Sequence, residues 1–581
     1  MKTITRFLIL LTLISSARAQ IGGSFTANFA TVWIPSTTQT NNDAVPAYAK
    51  PVNTVNGLWQ AGVQGGIPQY STIFTTLTTA TAANSASINA ALAAATAAGG
   101  SNVVFLNAGT YNLSDTMTLT SYTVLRGATN SSGAPTTVFN MSVGGGQGQI
   151  NILNSGFPCE GGQGSTCSGT VYSNNIIAGL TRGSTNITLA APVSNLATGQ
   201  ILALDQLADN INTFDYGPNP TSGESPHDTD WARNGTRAYE QYVTVTSWSG
   251  STIFFTPAIY GDYWTNSLAP AAYWWSANSA VVGAGIENIA VNRTPSSASY
   301  IVWMGPAINC WVKNLVTSSS GTAVVRLEAA VFCEVDHCGF TGPPDSAGSG
   351  VYAFFLTTSS ACKIENNWNN NLPTLISCAG ASGNVIAYNY GTNYPYSTTT
   401  FLDEVMNASH GAHCYFNLFE GNYEASFWAD GYHGNGSHTL TVRNSIPGWD
   451  PGKTGSVRSY NLDYYMDYMS AVDNVLGTPG IQTAYITPGT YCDQCIFNLE
   501  NDTNIPPRNF LRVDNWNTVS NAIPAFEALP ANTIVQNSYY LTNKPSWFGA
   551  LNWPPYDAGN PSERASTLIP AGYRFLNGVD P

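Results

Sequence analysis

The sequence predicts an all-β solenoid with a single helix ahead of its coils. Three observations carry that prediction. Apolar anchors recur at short, regular intervals through the second half of the chain, with no helical period between them. One Ala-rich helix former precedes them. The composition is that of an ordered, turn-rich protein: of 581 residues only 9% are charged, 43% are hydrophobic, and Gly and Pro number 54 and 32. That balance excludes intrinsic disorder. A net charge of −14 excludes the basic footprint of a nucleic-acid binder.

Residues 1–19 read as a secretory signal peptide. Lys2 and Arg6 precede an apolar run, and Ala17-Arg18-Ala19 is a small-x-small cleavage site, so the mature chain is expected to begin at Gln20. The run is too short to span a bilayer, and no later stretch is long and apolar enough. A secreted, extracellular protein with no membrane partner is expected. In that compartment Cys159 with Cys167, and Cys492 with Cys495, are read as local disulfides. Nine N-x-S/T sequons occur, including those at Asn407 and Asn435.

After an N-terminal extension (20–84), Ile88 to Ala95 reads as a helix. Ser85 or Ser87 is its expected N-cap, and Gly99-Gly100 is its stop. Val103-Val-Phe-Leu-Asn-Ala-Gly-Thr-Tyr111 reads as a strand and tight turn, and 85–176 as the helix with the first coils. The main coils (258–505) are anchored by Val312, Val335, Ile364, Ile386, Phe419, Val442 and Val472, at intervals of 23, 29, 22, 33, 23 and 30 residues. A unit of 22–23 residues with loop insertions is one solenoid turn. Two positions before the anchors come Cys310, Cys333, Cys362, Asn384 and Asn417. Strand alternation points them inward, as a reduced, buried ladder. Two positions after come Asn314, His337, Asn366, Tyr388, Gly421, Asn444 and Asn474, a corner row suited to left-handed turns.

The helix, the Phe-Leu-x-Ala-Gly-Thr-Tyr turn and the coils resemble the secreted right-handed parallel β-helix proteins of the pectate-lyase-like superfamily. Asn107 stands where that turn commonly has Pro. The resemblance covers roughly residues 85–546. It implies a helix that caps the solenoid and an extracellular protein that binds or degrades polysaccharide. It leaves the reaction open. The blocks of polygalacturonases and pectin methylesterases are absent, and that of pectate lyases is incomplete. A β-rich insert (177–257) interrupts the coils and carries a long acidic loop, 205–240, expected to be solvated. Calcium would suit its oxygens but no calcium-loop motif is present, so no cofactor is required and calcium is only an option. The 506–581 tail lacks the coil rhythm and is expected to cover one end or flank.

The strongest local signal is a repeated His. His410 lies nine residues before Phe419 and His433 nine before Val442, within Asn407-Ala-Ser-His-Gly and Asp430-Gly-Tyr-His-Gly. The two are expected on successive coils about 5 Å apart, with Asn407 stacked on Asp430. Asp430 would orient His433, an acid or base near neutral pH. Two His and a carboxylate also suit a metal, but no metal site is assigned. His413 and His438 are expected close by. Asp403 and Glu404, on the insertion before His410, add a carboxylate pair.

A second set is the outward row Lys313, Asp336, Glu365, Ala387, Glu420, Arg443 and Asp473. Asp336 and Glu365 have the stacking a glycosidase pair needs. Glu420 beside Arg443 reads as an ion pair, and the row as a solvated charge ladder. Arg443 and Lys453 are candidate bases for a lyase. Trp428, and with it Tyr432, is the expected sugar contact. Three functions follow. Hydrolysis of a mostly neutral polysaccharide leads, since an acidic chain repels an anionic polymer. Elimination on a uronate polymer and non-catalytic glycan binding are the alternatives.

Overall fold

The computed structural model describes residues 43–45, 58–81, 84–142, 148–153, 170–208, 233, 236–275, 280–293, 300–319, 321–342, 350–411, 413–430, 433–463, 466–486, 492–499, 510–529, 533–564 and 569–581. The 1–19 segment, Cys159, Cys167, Tyr432 and most of the acidic loop lie outside these. Among the described residues no helix is long and apolar enough to cross a membrane.

Short strands wind into a parallel β-helix with three faces. On the first face, strands Gly285–Arg293, Trp311–Thr317, Glu334–Asp336, Lys363–Glu365, Val385–Ala387, Leu418–Glu420 and Leu440–Val442 pair in parallel, each with the next. A second face carries Gly339–Thr341, Trp368–Asn370 and Tyr390–Thr392. The third face runs from Tyr300–Met304 through Ala323–Glu328, Tyr352–Thr357, Thr374–Ala379, Met406–Gly411 and Phe427–Ala429 to Tyr460–Leu462. Ile286, Val312, Val335, Ile364, Ile386 and Phe419 stack inward, wholly buried, in one core with Met304, Leu327 and Leu356. Each such side chain contributes about 1.5–3 kcal/mol of burial.

The expected register holds from Val312 through Phe419 and then slips by one residue. Phe419 pairs with Thr441, and Thr441 with Ala471. Val442 and Val472 therefore continue the outward row of Glu420. The cause is a cover over the outer surface. Trp59, Tyr539 and Phe548 of the terminal segments form an apolar cluster with Leu418, Leu440, Val442 and Val472. Outward positions are apolar there, so alternation alone selects the wrong face. Inward Thr441 meets Tyr460 Oη at 2.7 Å.

The slip also moves the corner row. Asn314, His337, Asn366, Tyr388 and Gly421 do have positive φ, but the next corners are Arg443 and Asp473. Asn444 and Asn474 instead join an inward ladder, Asn367–Asn389–Asn422–Asn444–Asn474–Asn515. Each Nδ2 donates to the next Oδ1 at 2.9 or 3.0 Å. The expected row of Cys310, Cys333 and Cys362 is a buried thiol ladder, continued by Asn384 and Asn417. The Cys492–Cys495 disulfide does not form. Cys495 starts a third-face strand and is buried, and its Sγ donates to the Cys492 carbonyl at 3.5 Å.

The helix spans Ser85–Ala97. Its N-cap is Asn84 rather than a serine: the side chain accepts from Ser87 N. Ile88, Leu92 and Ala95 pack into the solenoid core. The insert is a closed antiparallel barrel whose strands run from Val171–Ala178 to Ala271–Trp275, beyond both edges of the 177–257 interval. The acidic loop is not simply solvated. Asp205 and Glu240 lie in paired barrel strands, and Asp205 is buried against Arg233 and Arg237. The coil rhythm also persists into the tail, where Leu511–Val513 pairs with Ser470–Val472.

Candidate active site

The site grows out of a bulge on the third face. Ser377 pairs with Asn407 and Ala379 with Gly411, so one residue on the upper strand faces three on the lower. On the next coil Asn407 pairs with Trp428 and Gly411 with His433, which widens the interval to four. The extra residues swing His410 and Asp430 out of the ladder, as bulges beside active sites do. The 393–405 insertion brings Asp403 and Glu404 against them. That insertion is stapled to the 447–455 turn: Leu402 N donates to Gly455 O at 3.0 Å, and Lys453 Nζ to Phe401 O at 2.8 Å.

The result is one compact cluster. His410 Nδ1 is 2.5 Å from Asp430 Oδ2. Asn407 Nδ2 donates to Asp430 Oδ2 at 2.9 Å and also to Glu404 Oε2. One ligand atom each from Glu404, His410 and Asp430 lies within 4.8 Å of the others. The His410 and His433 rings meet edge to face at 4.8 Å. So the two rings are adjacent as the repeat predicts, although the backbone pairs one residue out of step. Asp430 Oδ2 meets the imidazole of His410, whose ring lies against that of His433, to which the sequence pointed.

Electrostatics separates the carboxyl groups. Burial, then the charges of Asp430 and Asp403, push Glu404 well above the usual range, and a hydrogen bond ties it to Asp430. Burial also raises Asp403, to about 6; Lys453 and His410 partly oppose that rise. Two acids held this close cannot both ionise, so one keeps its proton near neutral pH. Glu404 is half-buried by surface exposure, whereas Asp430 is buried.

The remaining candidates fall elsewhere. His413 is buried, with Nδ1 3.1 Å from Asn435 Oδ1 and Nε2 2.8 Å from Ser437 Oγ. His438 is packed between Phe416 and Tyr468 at 4.7 Å each. Burial holds its pKa well below the usual value. Both belong to the seam between barrel and solenoid. Glu420 and Arg443 lie under the terminal cover, where Glu420 accepts from Tyr388 Oη and Tyr539 N, each at 2.8 Å. Arg443 pairs with Asp473 at 2.6 Å, not with Glu420 as expected. The predicted solvated ladder is thus largely covered: Glu365, stacked on Asp336, is bonded by Lys363 and Tyr540. Trp428 lies beside Asn407 with the Arg458 guanidinium 4.9 Å over its ring.

The sequence reading missed Tyr352, whose ring is 6.4 Å from His410, and the aromatic run above it. It also did not assign Asn407 its part as the amide that holds both carboxylates. The signal was present: Tyr300-Ile-Val-Trp-Met and Tyr352-Ala-Phe-Phe-Leu start strands on the same face.

No protein-family model matches the chain, and neither does any curated protein. The parallel ladders decide the architecture. The chain is a parallel β-helix protein. Solved structures of similar course include a tailspike of Pseudomonas phage LKA1, at 13% identity and TM-score 0.38 over 71% of this chain. This chain covers 57% of that protein's length. A tailspike of Pseudomonas phage phi297 gives 10% identity and TM-score 0.45, over 77% of this chain and 75% of that one. An alginate lyase from Paenibacillus gives 7% and 0.36, over 69% and 94%.

Proposed function

We propose that this protein is a secreted glycoside hydrolase that cleaves a mostly neutral polysaccharide at the Glu404–His410–Asp430 cluster. The observation that carries the reading is the pair of carboxyl groups bridged by the Asn407 amide beside a bulge-presented imidazole. Glu404, kept protonated, donates to the glycosidic oxygen. Asp430, as carboxylate, attacks the anomeric carbon as the glycosidic C–O bond breaks, and water then cleaves the glycosyl ester while Glu404 takes back a proton. His433 and Asp403 set the local field. The acidic chain, at −14, disfavours polyanions as substrate. No metal acts in this scheme, so calcium or a chelator leaves turnover unchanged.

The test is reducing-end release from neutral polysaccharides by wild type and Glu404→Gln. Wild-type release that the substitution abolishes, with an unchanged melting transition, supports the reading. Unsaturated products from a uronate polymer would replace it with an eliminase, and binding without turnover with a glycan binder.

A further inference from the structure

The C-terminal helix, Pro570–Asn577, lies on the second face of the solenoid, where Phe575 packs on Trp368 with ring centroids 5.3 Å apart. Gly578 ends the helix at φ 71°, and the chain turns back so that Asp580 meets His337. Between this tail, the second face and the 132–135 turn lies an open cavity of about 190 Å³. Asn314 ties that turn to the solenoid, its Nδ2 donating to the Gly133 carbonyl at 2.9 Å. None of the cavity's walls comes from the Glu404–His410–Asp430 cluster, which belongs to the third face.

Two polar groups in the wall have hydrogen-bonding capacity to spare. The first is the Trp368 indole. A Cβ on Gly339 would meet it at 2.2 Å, so the ring lies across a strand position that only glycine allows. Trp311 lies over Gly285 in the same way, and there Nε1 donates to Glu287 Oε1 at 2.9 Å. Thr341 occupies the place that Glu287 has in that pair, and its hydroxyl accepts from Asn370 Nδ2. Trp368 Nε1 is left as a donor with no partner among the described residues.

The second group is the half-exposed Asp580 carboxylate. Its Oδ1 takes His337 Nε2 at 3.0 Å and Arg574 Nη1 at 3.4 Å, and Oδ2 takes neither. The His337 bond, with help from Arg574, holds this carboxyl below its usual range, so it stays an anion. His337 Nδ1 faces two donors, Asn366 Nδ2 at 3.1 Å and Arg574 Nη1 at 3.3 Å, so the imidazole is neutral with its proton on Nε2. Arg574 and Asp580 then cancel, and the wall carries no net charge. Pro135, Val316 and Val579 make the rest of it apolar.

We propose that this cavity binds one neutral monosaccharide unit, with hydroxyls that donate to Asp580 Oδ2 and accept from Trp368 Nε1 while a C–H face rests on the apolar wall. A hydroxyl serves both polar groups, since it donates and accepts. An apolar ligand would leave both unpaired, and Asp580 repels an anionic one. The space equals that of about six liquid waters, which suits a single ring and not a chain. The site goes beyond the cleavage reading and stands whether or not the cluster hydrolyses anything.

The test is binding of free glucose, galactose, mannose and xylose, with glucuronate as the charged comparison, followed by saturation-transfer NMR. At least one neutral sugar is expected to bind with millimolar affinity. Trp368→Phe keeps a ring against Phe575 and removes the N–H, and Asp580→Asn removes the anion. Each should weaken binding about tenfold. Asp580 lies on the rim, so its variant carries the test by itself if Trp368→Phe fails to fold. Asp430→Asn, in the cluster, should leave the affinity unchanged. Affinity that ignores both pocket variants, or that is lost in Asp430→Asn, overturns the proposal. So does a preference for glucuronate, or no binding of any of the four neutral sugars up to about 0.1 M.

Discussion

His410 Nδ1 stands 2.5 Å from Asp430 Oδ2, across two adjacent coils. The contact joins two residues 20 positions apart and exists because the bulge lengthens on successive strands. Hydrogen bonds of this kind are short and strong when a partner is charged. Asp430→Asn is isosteric but uncharged. It should lower turnover by about 10²-fold or more, with an unchanged circular dichroism spectrum. Turnover within a factor of a few of wild type would make the contact structural.

Stability should be greater in mild acid than in mild alkali. Burial raises Glu334 and Glu420 to about 7, Asp514 to about 6, and Asp473 to about 8 despite Arg443 beside it. A raised acid binds more protons folded than unfolded, so stability falls as pH climbs from about 4 through these values. Buried His438 acts oppositely, losing stability as pH drops below about 6.5. Four carboxyls outweigh one imidazole. The melting temperature should therefore be higher at pH 5 than at pH 8.5. A transition that rises steadily over that interval contradicts the burial of these acids.

The register slip shows how far the sequence was legible. The anchors from Val312 to Phe419, the thiol ladder and the neighbouring histidines follow from local spacing. What spacing cannot show is the cover. Trp59 and Tyr539 reach Leu418 and Val442 from distant parts of the chain, and they turn an outward valine into a core residue. The same blindness put Asn444 and Asn474 at corners and paired Glu420 with Arg443. The cluster was found because its residues are local, within 27 positions of one another from Glu404 to Asp430. The contact of His410 with Asp430 depends on a bulge that only coordinates reveal.

The inward cysteines should be thiols. Cys310, Cys333, Cys338, Cys362, Cys378 and Cys414 are buried and unbridged. Burial pushes Cys338 and Cys414 up to about 12, so they should ignore thiol reagents in the native protein. Denatured without reductant, the protein should release at least six titratable thiols. Fewer would refute the ladder.

The asparagine ladder should carry stability well beyond its size. Asn422 donates to Asn444 and to the Ile386 carbonyl, and accepts from Asn389. Asn422→Ala leaves those buried groups unpaired and should cost about 2–4 kcal/mol. The shift in denaturant midpoint measures it, and a loss under about 0.5 kcal/mol would mean that water or backbone replaces the amide.

The central claim is that Glu404 and Asp430 hydrolyse a glycosidic bond. It is tested most directly by product analysis on neutral and uronate polysaccharides, with and without calcium. Reducing ends and unsaturated-uronate absorbance are read from the same samples, for wild type and Glu404→Gln. The account predicts reducing ends from a neutral polymer, no absorbance, no effect of calcium, and silence from the variant. Calcium-dependent absorbance from a uronate polymer, or turnover that survives in Glu404→Gln, would contradict it.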